Sequence, residues 1–181
     1  NKLHIISFDV PYPPNYGGVI DVFYKLCALH ELGCEIILHC FDYGRGVQPE
    51  LEKYCSKVYY YKRHMSLSKM LSKLPYIVNT RKSNEMISNL LLDNAPILFE
   101  GLHSCYFLSD DRLSNRFKIV RTHNIEHDYY ANLAQSEKKA FKKIYFNQES
   151  KKLKTFEEKL QYANLIAAIS ANDAYHFRRN F

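Results

Sequence analysis

The stretch LHIISFDVPYPPNYGGVIDVFYKLCALHELG, residues 3–33, contains one whole strand–loop–helix unit. Leu3 to Phe8 is a short apolar run ended by Asp9. Val19, Val22, Phe23, Leu26 and Leu29 then recur at helical spacing and stop at Gly33, a helix-ending signal. Between the two runs, Gly17-Gly18 closes the stiff aromatic loop Pro11-Tyr12-Pro13-Pro14-Asn15-Tyr16 and opens the helix. Paired glycines there let the backbone come close to a ligand. The helix behind them presents free N–H groups and the positive end of its dipole. A sugar or a phosphate suits such a loop. Neither the dinucleotide fingerprint Gly-x-Gly-x-x-Gly nor a Walker A Gly-Lys-Ser/Thr is present.

Outward from this unit, strand-like and helix-like periods keep alternating. Cys34 to Phe41, Val58 to Tyr61, Pro96 to Phe99, Phe117 to Thr122 and Leu165 to Ile169 read as further strands. Nearly continuous apolar strands separated by helices predict an α/β fold. The expected form is a Rossmann-like three-layer sandwich, a mostly parallel sheet of about six or seven strands with helices on both faces. The strands end in polar residues (Glu100, His123 with Asn124, Ser170), and ligands of open α/β sheets bind along that carboxyl edge. Leu67, Met70, Leu71 and Leu74 share a helical face opposite Lys69 and Lys73, up to the break at Pro75. That face suits either packing on the core or contact with a membrane surface. A charge-rich helix is predicted over 137–162, with Ile144, Tyr145, Leu153, Phe156 and Leu160 on its packed side. Ser170 with Asp173 reads as a helix N-cap.

At 181 residues and 46% hydrophobic, the chain is expected to be one domain, and no apolar run approaches the length of a membrane span. It starts on a strand pattern and stops inside a helical one at Arg178-Arg179-Asn180-Phe181. Little is therefore expected before it, and a further domain after it. The five cysteines are odd in number and lack Cys-x-x-Cys spacing, which favours free thiols in a reducing cytoplasm and gives no zinc signature. The net charge of +6 is concentrated at Lys62–Lys82 and at Lys138–Lys154, either a solvated face or a surface for anions. The tyrosines lack the pattern of an RNA-binding sheet, and no nucleic-acid partner is expected.

The densest polar cluster is His123-Asn124-Ile125-Glu126-His127. It fits the His-x-x-Glu-His pattern of inverted zinc peptidases, which needs both histidines on one helix face. Here His123 directly follows Ile119-Val120-Arg121-Thr122, a strand, so a strand-end histidine facing a substrate hydroxyl or developing charge is the preferred reading. Glu100, ending the fourth strand, suits either a sugar hydroxyl or the cap of the next helix.

Four motifs in order give the chain a further likeness. They are Pro13-Pro14-Asn15-Tyr16-Gly17-Gly18; Leu29-x-x-Leu32-Gly33-Cys34-Glu35-Ile36; Arg121-Thr122-His123-Asn124-Ile125-Glu126-His127; and Glu157 with Ala163 to Asp173. Over almost its whole length the chain resembles the N-terminal domain of a family 4, GT-B fold glycosyltransferase. The resemblance implies that residues 1–181 form the acceptor-side domain of an enzyme moving a sugar from a nucleotide-sugar to a glycan or lipid-linked acceptor. It implies retention of configuration, no metal and no cofactor. A second, nucleotide-binding domain would complete the cleft. It places Gly17 and Gly18 against the donor diphosphate and His123, the catalytic residue, at the transferred sugar. Tyr12, Asn15, Tyr16, Glu100, Asn124, Glu126 and His127 are the expected acceptor contacts. The expected setting is cytoplasmic polysaccharide biosynthesis, and the basic Lys62–Lys82 region suits peripheral contact with anionic membrane at its inner face, presenting a lipid-linked acceptor. One departure is Asn164, where the family usually has Asp, and a small loss of capping is expected there. The alternatives are a non-catalytic α/β ligand-binding domain and a zinc hydrolase using His123, Glu126 and His127.

Overall fold

A computed structural model describes residues 1–181. Six strands, β1 (Lys2–Ser7), β2 (Glu35–Asp42), β3 (Lys57–Lys62), β4 (Ile97–Glu100), β5 (Lys118–Arg121) and β6 (Leu165–Ala167), form one sheet in the order β3-β2-β1-β4-β5-β6. Every pairing is parallel. This is the doubly wound order, whose direction reverses between β1 and β4. The chain has the expected Rossmann-like α/β fold.

Alternation along the strands splits the core in two. Ile5, Ile36, Leu38 and Leu98 join Phe23 and Leu26 of α1 (Gly17–Glu31) on one face. Ile6, Phe41, Ile97, Phe99 and Val120 pack on the other. That second face is covered by the one-turn helix α3 (Tyr76–Asn79) and by α4 (Asn84–Leu90), which contribute Ile77, Val78, Met86, Ile87 and Leu90. It also receives Leu153 and Phe156 of α6 (Ala140–Glu157) and Phe177 of α7 (Ala171–Asn180). Within it lies a buried polar chain. His4 Nδ1 meets His39 Nε2 at 2.9 Å, His39 Nδ1 meets the Tyr61 hydroxyl at 2.8 Å, and His4 Nε2 meets Asp93 Oδ1 at 2.9 Å.

Two predicted helices differ. The Leu67–Leu74 face shortens to the single turn α2 (Leu67–Met70). Leu74 packs on the core, while Leu67 (81% exposed) and Leu71 (90%) point to solvent. The 137–162 helix is α6 alone, preceded by a separate α5 (Glu126–Ser136) and followed by a 3-10 segment, Glu158–Tyr162. Glu137 turns extended, and its carboxylate accepts the Lys139 backbone N–H, which separates α5 from α6. Leu153, Phe156 and Leu160 are buried as expected, but Ile144 is exposed. Ser170 caps α7, its hydroxyl accepting the Asp173 N–H at 3.1 Å. Asn164 loses no bonding: its side-chain oxygen accepts the Lys118 N–H at 2.8 Å and its own N–H reaches the Lys118 carbonyl at 2.8 Å, pinning β6 to β5. All five cysteines are free.

Candidate functional site

The sheet's reversal opens a groove of about 640 Å³ at the carboxyl ends of β1, β4 and β5. Gly17, Gly18, His123, Asn124, Glu126 and Tyr16 all line it. Residues 17 and 123, far apart in the chain, are brought together because β1 and β5 both neighbour β4 in register.

The loop before α1 is rigidly braced. Buried Asp9 accepts the Tyr16 hydroxyl at 2.6 Å and the Val10 N–H at 2.8 Å. Arg45 reaches across from the turn after β2, donating to the Tyr12 and Pro13 carbonyls and to Asn15 Oδ1. Tyr12 packs against Phe23, the rings tilted by 51° with centroids 5.4 Å apart. Tyr12 and Asn15 are thus engaged in holding the loop and do not line the groove. No side chain caps α1, so its first N–H groups face the groove end unpaired by a cap. The two glycines have different causes. A Cβ on Gly18 would lie 2.6 Å from Phe8 Cζ, so packing dictates that glycine. A Cβ on Gly17 would meet nothing within 4 Å and its φ is not positive, so neither packing nor backbone requires it.

Glu100 is fully buried, beneath the groove rather than on its wall. Its Oε1 accepts Lys25 Nζ at 2.7 Å, and its Oε2 lies 3.2 Å from His123 Nε2. A carboxylate paired with a cation only accepts, so the His123 proton sits on Nε2. Nδ1 is left as the free nitrogen, a hydrogen-bond acceptor in the neutral ring. Gly101 follows with φ +70°, and a Cβ there would approach His103 Nδ1 to 3.0 Å. Phe8 lies edge-on to His123, ring centroids 5.5 Å apart, and against His103 at 5.4 Å.

Beside them, His103 Nδ1 and Glu126 Oε1 stand 3.8 Å apart, both buried and both without a hydrogen-bond partner. Burial pushes the Glu126 carboxyl up to about 7, against the opposing pull of Asn124 and Arg81. Burial, with Arg81 nearby, holds His103 well below the usual histidine range. Two unpaired polar groups on a groove wall are suited to a ligand with hydroxyls. His103, Lys25 and Asp21 were not singled out in the sequence. The Asp21–Lys25 spacing of one helical turn, placing both beside the strand ends, was the available signal.

His127 lies elsewhere. It points to a second groove, where its Nδ1 meets Glu157 Oε2 at 3.1 Å. The zinc-hydrolase alternative fails on this geometry. His123 precedes α5 and turns to Glu100, whereas His127 is inside α5 and turns to α6, so the two rings do not share a helix face. His127, one of the expected acceptor contacts, does not line the first groove.

The chain is 31% identical over 153 residues to an uncharacterized 44.6 kDa protein in the cps region of Klebsiella pneumoniae. The match spans 80% of this chain and 39% of that relative. No family model and no solved structure matches the chain. No helix is long and apolar enough to cross a membrane.

Proposed function

We propose that these residues form the acceptor-side domain of a two-domain glycosyltransferase of capsule-type polysaccharide biosynthesis, working at the cytoplasmic side of the cell membrane. The observation that carries this reading is the glycine without a local cause. Gly17 sits at an uncapped helix N-terminus, across one groove from a histidine held by a buried carboxylate. A diphosphate leaving group needs N–H donors and positive potential, with room for backbone approach, and Gly17 keeps that room open. His123, fixed through Nε2 by Glu100, offers Nδ1 to a hydroxyl of the transferred sugar, an orienting contact. The unpartnered His103 and Glu126 supply complementary hydrogen bonding for an acceptor hydroxyl. The cps-region relative supports a polysaccharide theme, and the 61% of it left unmatched (100 minus 39) leaves room for a second domain.

The test uses the full-length protein with a panel of nucleotide-sugars and lipid-linked or oligosaccharide acceptors, measuring release of nucleoside diphosphate. Turnover on one donor is expected, falling at least about 100-fold in His123→Ala. Absence of turnover on every donor, with no donor binding by calorimetry, sinks the enzyme reading in favour of a non-catalytic ligand-binding domain.

A further inference from the structure

His127 on α5, Glu157 at the end of α6 and His176 on α7 converge in the second groove, an open cleft of about 710 Å³. Glu157 is buried. Its Oε2 lies 3.1 Å from His127 Nδ1 and its Oε1 lies 2.8 Å from His176 Nε2, and the ligand atoms of the three residues all fall within 4.8 Å of one another. No lysine or arginine pairs with this carboxylate.

His127 has a carboxylate at each ring nitrogen, since its Nε2 also lies 3.4 Å from Asp128 Oδ1. A neutral imidazole carries one N–H and one lone pair, so one of these two contacts would set a lone pair against a carboxylate. An imidazolium, a cation between Nδ1 and Glu157, or a turn of the exposed Asp128 side chain into water removes the conflict. With a metal ion on Nδ1, the Nε2–H donates to Asp128, the carboxylate–histidine–metal arrangement that fixes a ligand's tautomer. The second His/carboxylate cluster, Asp21–Glu100–His123, differs at this point. Lys25 Nζ already sits in it as the cation, 3.0 Å from Asp21 and 2.7 Å from Glu100.

We propose that His127, Glu157 and His176 bind a divalent transition-metal ion, zinc by donor type, with an open fourth position facing the cleft. Two imidazoles and one carboxylate are a familiar three-ligand zinc set. Bonds of about 2.0–2.2 Å give ligand–ligand edges of roughly 3.4 Å, close to the separations present, so small side-chain shifts suffice. The ion would tie α7 to α5 and α6, which already pack against each other. The ligands are separated by 30 and 19 residues in sequence, which is why no motif announces them.

The experiment titrates chelator-treated protein with Zn²⁺ alone by calorimetry at pH 7.5, with melting followed by circular dichroism. One equivalent is expected to bind at micromolar or lower Kd and to raise the melting temperature. His176→Ala, on the terminal helix, should weaken binding at least about 10-fold, and Asp128→Asn, an exposed residue outside the ligand set, by about 10-fold, both while folded without metal. His123→Ala should bind zinc as the parent does. No saturable binding, or equal binding in His176→Ala and the parent, overturns the proposal. Loss in His123→Ala alone would assign the ion to the other cluster and overturn it equally.

Discussion

Gly17 and Gly18 are adjacent and opposite in cause, so substitutions separate structure from ligand contact. Valine at 17 enters open space at the first turn of a helix, where the backbone is already helical. Stability should stay within about 1 kcal/mol of the parent, since leaving glycine in a helix is mildly favourable. Donor turnover should fall at least about 100-fold, because the branched side chain occupies the space a diphosphate needs. Melting curves beside nucleoside diphosphate release check both halves, and full turnover in Gly17→Val removes the role. Alanine at 18 behaves the other way. Its Cβ would lie 2.6 Å from Phe8 Cζ, so either the ring or the helix must move, at about 1–3 kcal/mol. Phe8 also touches His103 and His123, so turnover should drop together with the denaturant midpoint. The sequence shows a glycine pair. Only the packing shows that one answers to a phenyl ring and the other to nothing in the chain.

At the scale of elements, the strands were legible because a parallel sheet buried on both faces leaves short, nearly continuous apolar runs, as in Ile36–Leu38 and Ile97–Phe99. The carboxyl-edge position of Gly17 and His123 followed from the same pattern. Helix extents were less legible. Nothing in the periodicity marks the extended turn at Glu137, which depends on one side-chain contact to Lys139. The burial of Glu100 could not be read either, since it depends on Lys25 arriving from α1. The Leu67–Leu74 segment is a case where length decided: four residues of helix cannot present a continuous packed stripe, and the leucines split between core and solvent. Exposed Met65, Leu67 and Leu71 stand among Lys62, Lys69 and Lys73. We expect this element to rest on anionic lipid. Leu67→Ser with Leu71→Ser should reduce sedimentation with phosphatidylglycerol vesicles several-fold, and raised salt should weaken the parent's binding too. The melting temperature should not change, as both side chains already face water. Equal sedimentation of parent and variant at low salt would reject the contact.

For the whole molecule, acid should act with opposite signs through the buried histidines (His4, His39 and His103) and through Glu126. His39 is buried between His4 and Tyr61, and burial lowers its pKa to about 3; His4 is lowered too, mainly by burial and against the pull of Asp93. Unfolded, both titrate near 6.5, so below that pH the unfolded chain binds more protons and stability falls, by at most about 1.4 kcal/mol per pH unit for each group. For His39 the window runs from 6.5 down to about 3. Glu126 has the reverse sign. With its folded pKa raised from 4.5 to about 7, the native state binds the extra proton between those values, so its contribution is largest below 4.5 and is lost as pH rises through 7. Over pH 4.5 to 6.5 the two effects oppose each other, and the parent should lose only part of the stability that the histidines alone would remove. Glu126→Gln deletes the compensating group while keeping its volume. That variant should be more stable than the parent at pH 8, where the parent buries an ionised carboxylate, and should lose stability more steeply on going from pH 6.5 to 5. Urea unfolding at four pH values between 5 and 8 measures both slopes. Parallel profiles for parent and variant would mean that Glu126 titrates alike in the folded and unfolded chain, and that the wall of the first groove is wetter than its burial implies.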